Sequence, residues 1–246
     1  MKKILALVIA ALISLSAAGC TVVSLTTSDG GVLGKGDIVE LEFPCEEFTK
    51  LIILTTARIH YQKDDSFSVK IAMHENLRDY LTATCRRGEL IIDSSKTINV
   101  SGSSRMPDVY IAAPSLEYLT IAGFAEIADF DRVAVDSFTF NSTGVANGEL
   151  SLSADYLSVT ISGAGNIRLN GTADKAAINS MGIGNINAFG LDIGEAEVTI
   201  AGAGNVEISC SKALNAKING LGGINYKGNP TVVEDRNGLG RVTKAD

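Results

Sequence analysis

The chain has 246 residues, 46% of them hydrophobic and 20% charged, with a formal net charge of −7. That acidic balance argues against nucleic acid and anionic membrane surfaces as partners. With only two histidines, His60 and His74, a multi-histidine metal centre or a Ser-His-Asp triad is hard to build.

At the start of the chain, Lys2 and Lys3 precede an apolar run, Ile4 to Leu15, too short to span a bilayer as a mature helix. Ser16-Ala17-Ala18-Gly19-Cys20 follows, small residues ending on a cysteine. This resembles a bacterial lipoprotein signal, so residues 1–19 are expected to be removed and Cys20 to become a lipidated N-terminus. Ala17 stands where leucine is commoner, which leaves cleavage by the ordinary signal peptidase as the alternative. Two or more acyl chains anchor a protein stably where one does not, so the expected partner at this end is the membrane. Residues 20–37, with their Thr, Ser and Gly, read as a tether, and residues 38–246 as one domain.

Between residues 37 and 115 the pattern is irregular. Ile38 to Phe43, Leu51 to Leu54, Phe67 to Ile71 and Leu90 to Ile92 read as strands, and His74 to Leu81 as a short helix or turn excursion. With no Pro/Gly-rich linker, this half is expected to form the opening coils of the solenoid inferred below; a separate small β domain is the alternative. Cys45 and Cys85 could pair in an oxidising compartment, whereas Cys210, on a strand with Val206 and Ile208, reads as a buried free thiol.

Residues 119–242 repeat. Gly163-Ala-Gly-Asn166, Gly182-Ile-Gly-Asn185 and Gly202-Ala-Gly-Asn205 are the clearest copies, and the leading glycines 123, 144, 163, 182, 202, 220 and 238 are spaced by 21, 19, 19, 20, 18 and 18 residues. Such a period is the signature of a solenoid. Leu119, Phe140, Val159, Ile178, Val198 and Ala216 stand four residues before each glycine, and Ile121, Ser142, Ile161, Ser180, Ile200 and Ile218 two before it. Mostly apolar residues two apart, rich in β-branched types, describe strands with one face inward. The prediction is an all-β fold, a right-handed parallel β-helix of three-sided coils of about 20 residues, with a less regular N-terminal part. Glu234 and Arg236 replace apolar residues in both columns, which suits a polar closing coil.

Several columns could carry chemistry. Asn166, Asn185 and Asn205 might line a ligand groove, but Asn tolerates left-handed backbone at corners and its amides can ladder between coils, so the structural role is preferred. Asp155, Asp174 and Asp192 fall 11, 11 and 10 residues after their glycines and could meet between coils; solvated turns are the simpler reading than a divalent-cation site. His60 at a strand end and His74 at a turn read as ordinary surface groups. Arg105, Arg132 and Arg168 fall in no common column near Asp155. No catalytic, cofactor-binding or metal-ligating residue is therefore assigned, no cofactor is expected, and Cys20 is the one modification site.

His74-Glu-Asn-Leu77, Gly88-Glu-Leu90, Val109-Tyr-Ile-Ala-Ala-Pro114-Ser-Leu116 and the Gly-x-Gly-Asn repeats ending in Gly223-Ile224-Asn225 occur in a particular order. In that order they resemble the head-GIN domain family of adhesin-like bacterial envelope proteins, over roughly residues 47–242. The resemblance implies a β-helical fold and a surface-adhesion or matrix role, and supplies no catalytic residues. The expectation is a non-enzymatic, lipid-anchored envelope protein, periplasmic or at the cell surface, that presents a β-helical surface to an envelope or extracellular protein or glycan. A β-helix polysaccharide lyase or a glycan-binding protein is the alternative, and a part in envelope-stress sensing is a third reading.

Overall fold

The computed structural model describes residues 31–102 and 104–245, so Cys20, the predicted signal and the first part of the predicted tether lie outside them. The N-terminal strands are β1 (Val32–Leu33), β2 (Ile38–Phe43), β3 (Phe48–Ile53), β4 (Thr56–Lys63), β5 (Ser68–His74), β6 (Leu81–Arg86), β7 (Gly88–Ser94), β8 (Ile98–Asn99) and β9 (Asp108–Ala113). The repeat region supplies β10 (Tyr118–Ile121), β11 (Phe124–Phe130), β12 (Val133–Ser142), β13 (Val145–Ile161), β14 (Ala164–Ser180), β15 (Ile183–Ile200), β16 (Val206–Ile218), β17 (Ile224–Lys227), β18 (Thr231–Arg236) and β19 (Val242–Lys244).

From β10 onward each strand pairs in parallel with its counterpart one coil later. The offset between β13 and β14 is 19 residues, and about seven turns stack as a parallel β-solenoid. Along β13 the buried-outward alternation breaks at Gly148–Glu149, at Asp155–Tyr156 and after Ile161, so the coil bends three times. The inward column runs Leu90, Leu51, Leu119, Phe140, Val159, Ile178, Val198 and Ala216 by register, and every member is fully buried. A single coil could not hide these side chains; stacking does.

That column also shows where the N-terminal half departs from simple opening coils. The β3–β4 coil lies inside the stack, with β7 and β9 on one flank and β10 and β11 on the other. The outer flank ends in antiparallel strands: β5 against β9, β2 against β5, and β6 against β7. Positive φ at both Arg87 and Gly88 makes the two-residue hairpin turn that reverses β6 into β7. A 3-10 turn at Glu75–Leu77 occupies the expected excursion. Within the segment read as a tether, Val32–Leu33 pairs in parallel with Ile98–Asn99, and the Lys35 amide donates to Asn76 Oδ1 at 2.6 Å.

Cys45 and Cys85 form a disulfide with Cα atoms 5.1 Å apart, and Cys210 is a buried free thiol. At the far end Glu234 lies over Ala216 and Arg236 over Ile218, and the two charged side chains pair with each other. Buried apolar residues therefore end beneath an ion pair.

Candidate functional site

The Asn column begins one coil earlier than the motif suggests, because Asn147 stands in register with Asn166. Each amide oxygen accepts from the next coil. Asn147 Oδ1 takes the Asn166 backbone N–H at 3.0 Å, Asn166 Oδ1 takes Asn185 Nδ2 at 2.9 Å, and Asn185 Oδ1 takes both the backbone N–H and Nδ2 of Asn205 at 3.2 Å. Asn205 Oδ1 accepts from the Gly223 amide at 2.9 Å. Arg87 is the one non-glycine residue with positive φ among the described residues, so the asparagines of this column are not left-handed; Gly148 and Gly165 beside them take positive φ instead. The column is a hydrogen-bonded ladder, and its amides are already used.

The Asp column is different from the expected one. Val135 pairs with Ala154 and Ser137 with Tyr156, which sets Asp136 beside Asp155; Asp174 follows in the next coil. Asp192 is out of line, opposite Thr172, because the longer coil carries its extra residue as a bulge and brings Gly194 level with Asp174. These aspartates edge an open groove of about 690 Å³ with Lys212 at its side. No group of three or more His, Cys, Asp or Glu residues among the described residues is placed to hold a metal ion.

His60 proves to be no ordinary surface group. It lies within β4, with its side chain 16% exposed, stacked on Tyr110 with ring centroids 4.5 Å apart. Its Nε2 is 3.0 Å from Asp108 Oδ1 and its Nδ1 2.8 Å from Asp129 Oδ2. Asp108 is buried, and Arg58 and Arg105 also reach it, at 3.7 and 2.8 Å. Arg58 in turn donates to Glu126. The cluster borders a groove of about 660 Å³ that includes Lys70 and Asp131. Both ring nitrogens face carboxylates, which hold the imidazole on two sides. His74 spans two loops: Nδ1 is 2.9 Å from Gly36 O, and the Arg105 amide donates to Nε2 at 3.1 Å. Arg168 stands elsewhere, 3.7 Å from Glu149, and Arg132 lies in the turn between β11 and β12.

A broad face lies on the side that begins at β10. Its outward columns are Tyr118, Thr139, Ser158, Ala177 and Glu197, then Thr120, Asn141, Thr160, Asn179 and Thr199. Coils repeat about every 4.8 Å and outward neighbours along a strand sit about 6.6 Å apart. Among the described residues, the Thr, Ser and Asn side chains of this face make no side-chain hydrogen bond. Around the adjoining corner runs a ridge of exposed apolar side chains, Met181, Ile183, Leu221 and Leu239. The outward set was readable in the same repeats, at the positions between inward residues, but the motif glycines draw attention to the corners instead.

A solenoid of Gly-corner coils, closed at one end by antiparallel strands, defines a class of β-solenoid repeat domains. The family described as "Putative auto-transporter adhesin, head GIN domain" matches residues 47–230, and the chain belongs to it. A solved structure described as a "putative adhesin" from Bacteroides fragilis superposes with a TM-score of 0.81 at 24% identity, covering 87% of this chain and all of the other. A "putative adhesin" from Parabacteroides merdae gives 0.64 at 22% identity, covering 87% and 99%. A "putative lipid binding protein" from Parabacteroides distasonis gives 0.61 at 21%, covering 87% and 98%. At these identities the likeness is one of fold. No curated protein matches the chain. No helix among the described residues is long and apolar enough to cross a membrane.

Proposed function

We propose that this chain is a non-enzymatic, lipid-anchored protein of the bacterial envelope whose solenoid presents a surface for adhesion or scaffolding. The observation that carries this reading is the broad face from Tyr118 to Thr199, uncharged up to Glu197 at its edge, whose hydroxyl and amide groups are left unused by the fold. Membership of an adhesin-described family supports it. So does the Cys45–Cys85 disulfide, which suits an oxidising compartment outside the cytoplasm. The Ser16–Cys20 segment supplies the anchor.

Deleting the protein from cells that carry it is expected to reduce their adherence, and wild type but not Cys20→Ala is expected to incorporate labelled palmitate. Protease shaving of intact cells should remove the domain if it faces outward. Unchanged adherence after deletion would overturn the adhesion reading.

A second reading, a glycan-processing enzyme, draws on the Arg58, His60 and Asp108 cluster beside its groove. Turnover of an uronate-containing polysaccharide that is lost in His60→Ala would establish it in place of the first.

A further inference from the structure

We infer that the face formed by the outward residues of β10 and of the C-terminal segments of β12, β13 and β14, with Thr199 of β15, binds an uncharged polysaccharide chain laid along the solenoid axis. The inference rests on the adhesion reading and names the ligand class.

Charge is the first ground. The chain carries 21 basic and 28 acidic residues, yet Tyr118, Thr139, Ser158 and Ala177, their neighbours Thr120, Asn141, Thr160, Asn179 and Thr199, and the corner residues Thr143 and Ser162 include none. Charged groups mark the borders: Lys50 with Glu89 at one end, and Glu197 followed by Lys217 with Asp235 at the other. Elsewhere on the solenoid, ionic pairs such as Arg168–Glu149 and Lys175–Glu195 occupy outward columns. A polyanion or polycation laid on this face would lose hydration of its charges and gain no counter-ion. A polymer of neutral hydroxyls meets no such penalty.

Hydrogen-bonding capacity is the second. The corner amides from Asn147 to Asn205 are spent on one another, and Ser153 bonds Thr172 at 3.0 Å. By contrast the hydroxyls of Thr139, Ser158, Thr120, Thr160 and Thr199 and the amides of Asn141 and Asn179 have no protein partner among the described residues. All seven are half-buried, so they stand little above the sheet and form a flat field of donors and acceptors. Solvating water is their present partner, and sugar hydroxyls can replace it with like-for-like bonds.

Repetition is the third. The same short step recurs in coil after coil, about 4.8 Å apart. One sugar on one step would bind weakly, but a chain crossing several steps gains each later contact at high effective concentration. Tyr118, 40% exposed at the start of the face, carries Lys50 Nζ 5.1 Å from its ring centroid, so its ring belongs to the charged border.

The test uses the full mature protein with a panel of neutral polysaccharides and one uronate polymer, measured by pull-down and calorimetry. At least one neutral polysaccharide should be retained, more tightly as its chain lengthens, and the uronate polymer should not. Thr160→Lys and Asn179→Lys, which place a charge at the centre of the face, should weaken retention about tenfold or more. Ser151→Lys, on another side of the coil, should leave it unchanged. Thermal melts of all three variants separate lost binding from lost folding, and Asn179→Ser serves as a milder variant should a lysine unfold the domain. Failure to retain any neutral polymer, equal binding by Thr160→Lys, or self-association through this face in place of glycan binding would each overturn the inference. If deletion abolishes cell adherence while Thr160→Lys preserves it, the ligand class fails and the adhesion reading stands.

Discussion

Gly182 and Gly223 occupy the same kind of corner, but their missing side chains have different consequences. A Cβ on Gly182 would stand 1.8 Å from the Gly163 carbonyl oxygen of the coil before, a collision that only backbone displacement relieves. On Gly223 the nearest atoms would be 3.4 Å away, an ordinary contact. Gly182→Ala is therefore expected to cost about 3 kcal/mol or more. Gly223→Ala should change stability by no more than about 1 kcal/mol, in the stabilising direction. Urea unfolding of the pair would reveal the asymmetry. Tyr61 offers a second residue-scale prediction. Burial, reinforced by the charge of Asp131, pushes its phenol up to about 12, and its hydroxyl donates to the Ala113 carbonyl at 3.1 Å. The unfolded chain ionises Tyr61 near 10, so its contribution to stability is full below about 10 and is lost as pH rises through about 12. Phenolate absorbance from Tyr61 in the folded protein should appear only as pH approaches about 12, and Tyr61→Phe should flatten the alkaline loss of stability.

Among the elements, the disulfide ties the approach to β3 to the outer hairpin strand β6 and closes a 40-residue separation. In the chain-entropy picture, a loop of that size stabilises the fold by about 4 kcal/mol. Replacing both cysteines by serine should lower the urea midpoint accordingly, and reductant should do the same to wild type but nothing to the double variant. The repeat strands were legible because close backbone contact between coils writes glycine into the sequence at a fixed interval. The N-terminal strands lacked that signature. Leu51 and Leu90 both satisfy the inward column, and alternation reports which face of a strand is buried but not which strand lies beside it. The Arg58, His60 and Asp108 cluster escaped for the same reason, since His60 and Asp108 are 48 residues apart and meet only through the β4–β9 register. Likewise the bulge after Ala188 moved Asp192 out of a column that spacing alone assigned to it.

At the scale of the domain, each coil contacts chiefly its neighbours, so local stability should follow position in the stack. The middle coils of β13, β14 and β15 have buried columns above and below, whereas β17, β18 and β19 are short and the last two mostly exposed. Hydrogen exchange is expected to be fastest in Ile224–Lys244 and slowest in Val145–Ile200, with the disulfide-linked antiparallel strands intermediate. Uniform protection throughout would mean that the domain opens as one unit.

The chain leaves the β3–β4 coil for the antiparallel strand β5 and not for a parallel neighbour, which makes lengthening by gene duplication one-sided. A tandem copy of residues 164–182 placed after Gly182 adds one whole rung, Gly-x-Gly corner included, and small-angle scattering should register a stack about 4.8 Å longer. The same duplication of residues 48–63 should yield no folded product, because β4 runs on into antiparallel β5 and not into the next parallel rung at β11. Variation in copy number is thus open to evolution and to engineers at the Gly-Asn end alone.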